Sequence, residues 1–471
     1  MNQSLSQGVF PTDWKQAKVT PVYKSGATNN TNNYRPISVL PILSKLLERF
    51  VHTHLSSFLE ENNLLTIVQS GFRRLHSTLT SLIHVTDKWL RNIEKGLVTG
   101  VVFIDLRKAF DTVDFSILEK KLHGYGVQGT ELQWFSSYLQ GRTQVVSIDG
   151  ELSEPLPVTV GVPQGSILGP LLFLLYVNDL PDVPLKCNTN MYADDTELDY
   201  ATKPSDLQIM ETVINEDLSR LETYFEHNKL SLNVAKCEFL VIGTQQQVNK
   251  CNDISIKMCN TEVKNVHSAK YLGMTIDRNI KWDIHTDKLK NKISSKVALL
   301  QRLKKIVPIE TLKQLYDTIV LPHFDYCDII YGQCSDENLE KLQKLQNRAA
   351  RILTGSGPQE HREDMFTKLK WLSLANRQQL HKCVMVYKAL NGLAPPYIRD
   401  SFVSNSQVHS YRTRNCNKLN IKPYKKEYYA KSFEISGART YNNLPENVTC
   451  ATSLNIFKSQ LEKHLLTLPQ F

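Results

Sequence analysis

The chain has 471 residues, 41% hydrophobic and 22% charged, the balance of an ordinary globular protein with room for two or three domains. A formal charge of +9 and a pI near 8.9 favour a polyanionic partner, because Lys and Arg that neutralise phosphates release condensed counterions. The nine scattered cysteines form no C-x-x-C pair, which argues against a zinc site, and the longest apolar stretch (167–177) is too short to span a bilayer. The N-terminus lacks a basic start followed by an apolar run, so the expected location is intracellular, cytoplasm and/or nucleus, with no membrane contact.

In chain order, residues 26–33 (GATNNTNN) have loop composition. Residues 101–104 (VVFI) predict a buried strand, 156–162 an edge strand interrupted by Pro157, and 240–242 another strand. Ser205 with Gln208 predicts a capping box before a helix that runs to about Phe225. An α+β first part follows, to about Asp277. Residues 282–306 and 338–353 then carry apolar residues at helical spacing with Lys and Arg between them. Beyond the breaker Gly355-Ser356-Gly357-Pro358, short helices mix with a segment rich in Tyr and Lys.

Three segments carry chemistry. Asp105 stands at the end of the apolar strand 101–104, where a carboxylate is costly to bury unless it pairs or binds a cation. Read alone, it equally caps a following helix. Asp194 and Asp195 lie in 191–196 (MYADDT), which alone reads as a hairpin turn. Between them lies the Gly/Pro-rich segment 161–166 (GVPQGS). Turn or capping chemistry has no reason to produce this order, whereas two hard cations need oxygen ligands that converge from separate elements within about 4 Å.

With these segments in place, the chain resembles the reverse transcriptases of non-LTR (LINE-type, jockey-like) retrotransposons, over roughly residues 8–280. FIDLRKAFDTVD resembles the first palm motif, GVPQGSILGPLLFLLYVNDLP the second, MYADDTEL the third and LSLNVAKCEFLVIG the fourth. YLGMTID resembles the primer-grip segment, and PVYKSG and NYRPISVLPILSKLLERFV the fingers motifs. The resemblance implies a right-hand polymerase of α+β class: fingers, a palm of antiparallel sheet plus helices, and a helical thumb. Fingers and palm would occupy 1–278, the thumb 279–355, and a basic C-terminal region, a candidate RNA-binding part, 356–471.

The implied activity is RNA-directed DNA synthesis by two-metal nucleotidyl transfer. Template RNA, a DNA primer or nicked target DNA, and deoxynucleoside triphosphates are the implied partners, and two Mg²⁺ ions, with Mn²⁺ the alternative, the implied cofactor. Carried over residue by residue, Asp105, Asp194 and Asp195 are the catalytic metal ligands. Lys24 and Arg35 face the triphosphate, Phe110 is a steric gate against a 2′-hydroxyl, Gln164 and Gly165 support nucleotide and template base, and Lys236 is a general acid. Tyr271, Leu272 and Gly273 form the primer grip. Without the resemblance, Lys24, Arg35 and Lys236 read as surface cations and Phe110 as core.

Lys288, Lys292 and Lys296 recur at helical spacing and by analogy track a duplex backbone, or else form a solvated helix face. Arg412, Arg414, Lys425 and Lys426 interleave with tyrosines, among them Tyr424, as suits RNA. No endonuclease motif is legible, so nicking is expected to come from elsewhere. The alternative reading is a catalytically inactive, truncated or domesticated nucleic-acid-binding polymerase fold. An RNA-templated RNA polymerase is opposed by Phe110.

Overall fold

The computed structural model describes residues 1–251, 254–357, 360–408, 416 and 418–470. A short helix α1 (Asn2–Ser6) precedes β1 (Gln16–Tyr23) and β2 (Tyr34–Val39), an antiparallel pair closed at Tyr23 and Tyr34. Helix α2 (Ile42–Glu61) follows, then α3 (Thr78–Glu94), whose start is fixed by a capping box between Ser77 and Thr80. Next come β3 (Val98–Ile104), α4 (Phe115–Gly124), α5 (Gly129–Leu139), β4 (Arg142–Ile148), β5 (Glu151–Leu152) and β6 (Leu156–Val158). The apolar helix α6 (Gly169–Val177) leads to the hairpin β7 (Asn188–Tyr192) and β8 (Asp195–Thr202). After it stand α7 (Leu207–His227), β9 (Glu238–Ile242), α8 (Gln245–Val248), β10 (Lys257–Met258), β11 (Thr261–Glu262), β12 (Lys264–Asn265), β13 (Ser268–Tyr271), β14 (Met274–Asp277) and α9 (Asp283–Leu303). The remaining described residues are mostly helical, the longer helices being Asp336–Thr354, Leu374–Leu390, Phe433–Asn442 and Leu454–Thr467.

Two sheets of five strands result. One joins β1, β2, β4, β5 and β6; the other runs β12-β9-β3-β8-β7, antiparallel except where β12 meets β9. All seven residues of the central strand β3 are buried, because both faces of this sheet are covered. The strand period of two then divides the core in two. Val98, Val102, Ile104, Phe239 and Val241 point into a core shared with α6 and α7. Val101, Phe103, Leu240 and Ile242 point into a second core built with α3, α9 and the C-terminal helices, as far along the chain as Phe433, Ile435 and Ala438. Helix α7 crosses so closely that a Cβ at Gly100 would lie 2.7 Å from the Met210 sulfur.

Buried acids fix two of the connections. Glu48 on α2, fully buried, accepts from the N–H groups of Ile167 (2.8 Å) and Leu168 (3.2 Å) and so caps the start of α6. Asp217 on α7 accepts from the N–H groups of Leu185, Lys186 and Cys187 at 2.8 to 3.0 Å and holds the loop that feeds β7. Burial works to raise the Asp217 pKa, but those N–H groups outweigh it and leave the carboxyl below its ordinary value. Its stabilisation is therefore full at neutral pH and lost as pH falls through the depressed value. Hydrogen bonds to a charged group contribute about 1.5–3 kcal/mol each and are not fully additive, so Asp217→Ala is expected to cost at least about 3 kcal/mol in a urea melt at pH 7, and less as the pH falls into the acid range.

Two local expectations fail. The Ser205–Gln208 capping box does not form: α7 starts at Leu207 with Asp206 as N-cap, no side chain caps it, and the Ser205 hydroxyl donates to Asp206 instead. The strand expected over 156–162 ends at Val158. Gly161 and Val162 leave β4 and give their N–H groups to the carbonyls of Val113 (2.8 Å) and Phe110 (2.9 Å), binding this loop to the segment after β3.

Candidate active site

The site forms where β3, β7 and β8 end side by side. Ile104 pairs with Thr196, which sets Asp105 beside Asp195 at the end of the adjacent strand. Tyr192 pairs with Asp195, leaving Ala193 and Asp194 as a two-residue turn. Ala193 has φ +58°, a left-handed conformation that costs a non-glycine residue roughly 1–2 kcal/mol and persists only where the surroundings over-determine it.

Here the surroundings are residues 68–71. The Gln69 side-chain carbonyl accepts from the Ala193 N–H (2.8 Å) and the Gly71 N–H (2.7 Å), while its amide donates to the Ala193 carbonyl (3.2 Å). A Cβ at Gly71 would stand 2.3 Å from the Ala193 nitrogen, so only glycine lets the two backbones approach. Asp105 is oriented from the other side by Asn233, whose side-chain amide donates to its carboxylate (2.6 Å) and whose N–H donates to its carbonyl (2.9 Å). Sequence reasoning missed Gln69, Gly71, Asn233 and Glu48, since their partners lie far along the chain.

The three carboxylates feel one another. Burial, then Asp194 and Asp105, push Asp195 up to about 6, against the pull of Lys24. Burial and Asp105 likewise raise Asp194, against its own N–H, Lys24 and Arg35. Oxygen-only donors carrying excess negative charge fit a hard divalent cation. Among the described residues, the trio of ligand atoms lying within 4.8 Å of one another is elsewhere, at Asp325, Asp328 and His381. That trio is already satisfied: Arg377 forks onto Asp325, and His381 Nδ1 lies 2.6 Å from Asp328. Asp105, Asp194 and Asp195 do not form such a trio.

Lys24 and Arg35 lie exposed at the closed end of the β1–β2 pair, where the Lys24 N–H donates to the Asn33 carbonyl (2.8 Å) and Arg35 pairs with Val22. The Phe110 ring stacks on Phe173 of α6 at 4.4 Å and meets the edge of Phe72 at 6.1 Å. Gln164 donates to Asp111 (2.8 Å), and its carbonyl accepts from the Ser38 N–H (2.7 Å). Gly165 has φ +125°, and a Cβ there would lie 2.4 Å from the Ser38 carbonyl oxygen.

Lys236, Asp105, Asp195 and Tyr271 line one cavity of about 90 Å³. Leu272 and Gly273 form the turn of the β13–β14 hairpin, both with positive φ, and Tyr326 donates to the Leu272 carbonyl (2.6 Å). Lys288 and Lys292 lie exposed and Lys296 half-buried on α9, and Lys288 donates to Thr275 (3.3 Å). Lys425 and Lys426 dock at the end of α3. Glu94 accepts from both lysine N–H groups, the Lys426 ammonium donates to the Ile93 carbonyl, and Arg439 donates to Tyr424 (2.5 Å). Arg412 and Arg414 lie outside the described residues.

The RNA-directed DNA polymerase from mobile element jockey of Drosophila melanogaster is 29% identical over 392 residues, which cover 80% of this chain and 42% of the relative. The probable RNA-directed DNA polymerase from transposon BS of Drosophila melanogaster is 30% identical over 380 residues, 75% of this chain and 40% of the relative. This chain thus spans about two fifths of the length of these relatives. A solved structure of apo telomerase from Candida tropicalis matches with a TM-score of 0.40 and 13% identity, covering 78% of this chain and 67% of that one. No helix among the described residues is long and apolar enough to cross a membrane. The family described as reverse transcriptase (RNA-dependent DNA polymerase) matches residues 22–276, a stretch that contains the paired acids Asp194 and Asp195, Asp105, the Phe110 ring and the Gly165 turn; the chain belongs to that family and has its right-hand α+β fold.

Proposed function

We propose that the chain is the polymerase part of a non-LTR, jockey-like retrotransposon protein and extends a DNA primer on an RNA template. The observation that carries this reading is the convergence of Asp105, Asp194 and Asp195 at the ends of adjacent strands, their charges opposed by Lys24 and Arg35. Those three carboxylates would hold two Mg²⁺ ions, or Mn²⁺, which when bound acidify a primer 3′-hydroxyl and neutralise charge on the phosphates.

The chain's own residues bind and orient. Lys24 offers a point charge and Arg35 a planar fork to triphosphate oxygens. Phe110, held between Phe173 and Phe72, excludes a 2′-hydroxyl, while Gln164 and the close-packed Gly165 carry the template base and nucleotide. Lys236, in the same cavity as Asp105 and Asp195, gives a proton to the departing pyrophosphate. The Tyr271–Gly273 turn holds the primer end, and Lys288, Lys292 and Lys296 on α9, as thumb, follow the duplex backbone. Residues 1–278, 279–355 and 356–471 would act as fingers and palm, thumb, and a basic C-terminal region in which Arg412, Arg414, Tyr424, Lys425 and Lys426 meet RNA. The primer is supplied as a DNA strand or a nicked target.

The test is RNA-templated primer extension with deoxynucleotides and, separately, ribonucleotides. Extension with deoxynucleotides alone supports the reading. A folded protein that binds the hybrid without extending it points to an inactive binding fold, and efficient ribonucleotide use points to an RNA polymerase. Phe110→Val is expected to reduce discrimination against ribonucleotides by about 10- to 200-fold, the range that small steric changes in a pocket command, measured as the ratio of kcat/KM for the two nucleotide types.

A further inference from the structure

The turn that carries Asp194 is braced from outside the strands that form it. Residues 68–71 run beside β7: the Met191 N–H donates to the Val68 carbonyl (3.0 Å) and the Ser70 N–H to the Met191 carbonyl (2.9 Å). This pairing delivers Gln69, only 2% exposed, to the Ala193 peptide, where its side chain accepts one bond and donates another. Glutamine suits this position because one planar group offers both an acceptor and a donor. A glutamate would set an oxygen against the Ala193 carbonyl and add a fourth negative charge near Asp105, Asp194 and Asp195.

The brace has a second anchor, more than 300 residues along the chain. Tyr397 lies in the C-terminal region, yet its phenol oxygen sits 3.0 Å from the Ser70 hydroxyl and donates to Thr80 on α3 (3.3 Å). Its single O–H being spent on Thr80, Ser70 must be the donor to Tyr397. The Tyr397 ring packs against His84 at 4.7 Å and His76 at 5.7 Å. An unbroken set of contacts thus runs from the C-terminal region through Ser70 and Gln69 to the left-handed Ala193.

We propose that Gln69 is a positioning residue that holds the Ala193–Asp194 turn at the height required for cation binding, and that Tyr397 of the C-terminal region locks the Gln69 segment in place. The kinetic side of this inference rests on the polymerase reading. Its geometric side does not. A displacement of about 1 Å in a catalytic group costs about a hundredfold, so Gln69→Ala is expected to lower kcat for primer extension by about 10- to 100-fold, with KM for deoxynucleotide changed less than about threefold. Gln69→Glu is expected to be the slower of the two.

Two readouts need no turnover. Amide hydrogen exchange over residues 191–195 is expected to speed up at least about tenfold in Gln69→Ala, because the Ala193 N–H loses its acceptor. Affinity for Mn²⁺, followed by its paramagnetic signal, is expected to fall several-fold. Tyr397→Phe keeps the ring, removes one hydroxyl and serves if Gln69→Ala does not fold. It is expected to accelerate exchange at residues 69–71 and lower kcat about three- to tenfold at an unchanged Tm. Folded variants with wild-type kcat, Mn²⁺ affinity and exchange overturn the proposal. A wild type that never extends a primer overturns the polymerase reading instead, and exchange and Mn²⁺ affinity still decide the role of Gln69.

Discussion

Asp194→Ala is expected to reduce RNA-templated primer extension at least about a thousandfold without unfolding the protein. Cation stabilisation of a phosphoryl transition state contributes several kcal/mol, and each 1.36 kcal/mol is tenfold in rate. Stability should move the other way. Burial first, then Asp194 and Asp105, push Asp195 up to about 6 from its ordinary 3.8, so part of that shift is like-charge repulsion that Asp194→Ala removes. A raised carboxyl pKa means that the folded state holds its proton longer than the unfolded one. The associated stability is complete below about pH 3.8 and is lost as pH rises through about 6. In metal-free buffer, the Tm of the wild type should therefore carry a downward contribution across that window, weaker in Asp194→Ala. An equal pH slope in both proteins, or residual extension within tenfold of wild type, would count against the assignment.

Ending the chain at Gly355 is expected to abolish cooperative folding. Leu374, Val386, Tyr429, Phe433, Ile435 and Ala438 lie in the same core as Val101, Phe103 and Leu240 of the central sheet. Burying a large apolar side chain is worth about 1.5–3 kcal/mol, so removing this set takes away an amount comparable to the whole stability of a domain, about 5–15 kcal/mol. Polar ties are lost as well. Asp87 on α3 accepts from the N–H groups of Phe433 (2.7 Å) and Glu434 (2.9 Å), and Arg91 pairs with Glu434 (2.8 Å). Size-exclusion chromatography and circular-dichroism melts of residues 1–355 decide the matter: a monodisperse fragment with a sharp melt would mean that the sheet face is covered in some other way.

What the sequence revealed and what it hid have physical reasons. Asp105 stands out because it follows the apolar run 101–104, whereas Asp194 and Asp195 alone read as a turn and, like Gly165, are singled out only by the order of the segments and the family resemblance. Strand β3 was found as residues 101–104 and proves longer, since Thr99 and Gly100 lower its apolar signal while remaining buried or close-packed. Gln69 and Asn233 were illegible: one acts on a backbone and the other on a carboxylate, each more than 100 residues away, and nothing local marks a polar loop residue as a clamp. The Tyr- and Lys-rich segment illustrates the limits of composition. Tyr428 and Tyr429 pack with the second core and Lys426 closes the end of α3, contacts that a count of rings and charges does not anticipate.

The division of the core by the two faces of β3 also sets an order of events during synthesis. A chain emerging N-terminus first has every partner for one face once Val263 has appeared. The opposite face waits for Ala438. At about 5–20 residues per second, ribosomes would leave Val101, Phe103, Leu240 and Ile242 without their full cover for about 10–35 s. The nascent protein therefore passes through an interval in which Asp105 is joined to one finished half and one sticky half, when a chaperone has most to offer and premature termination does most harm.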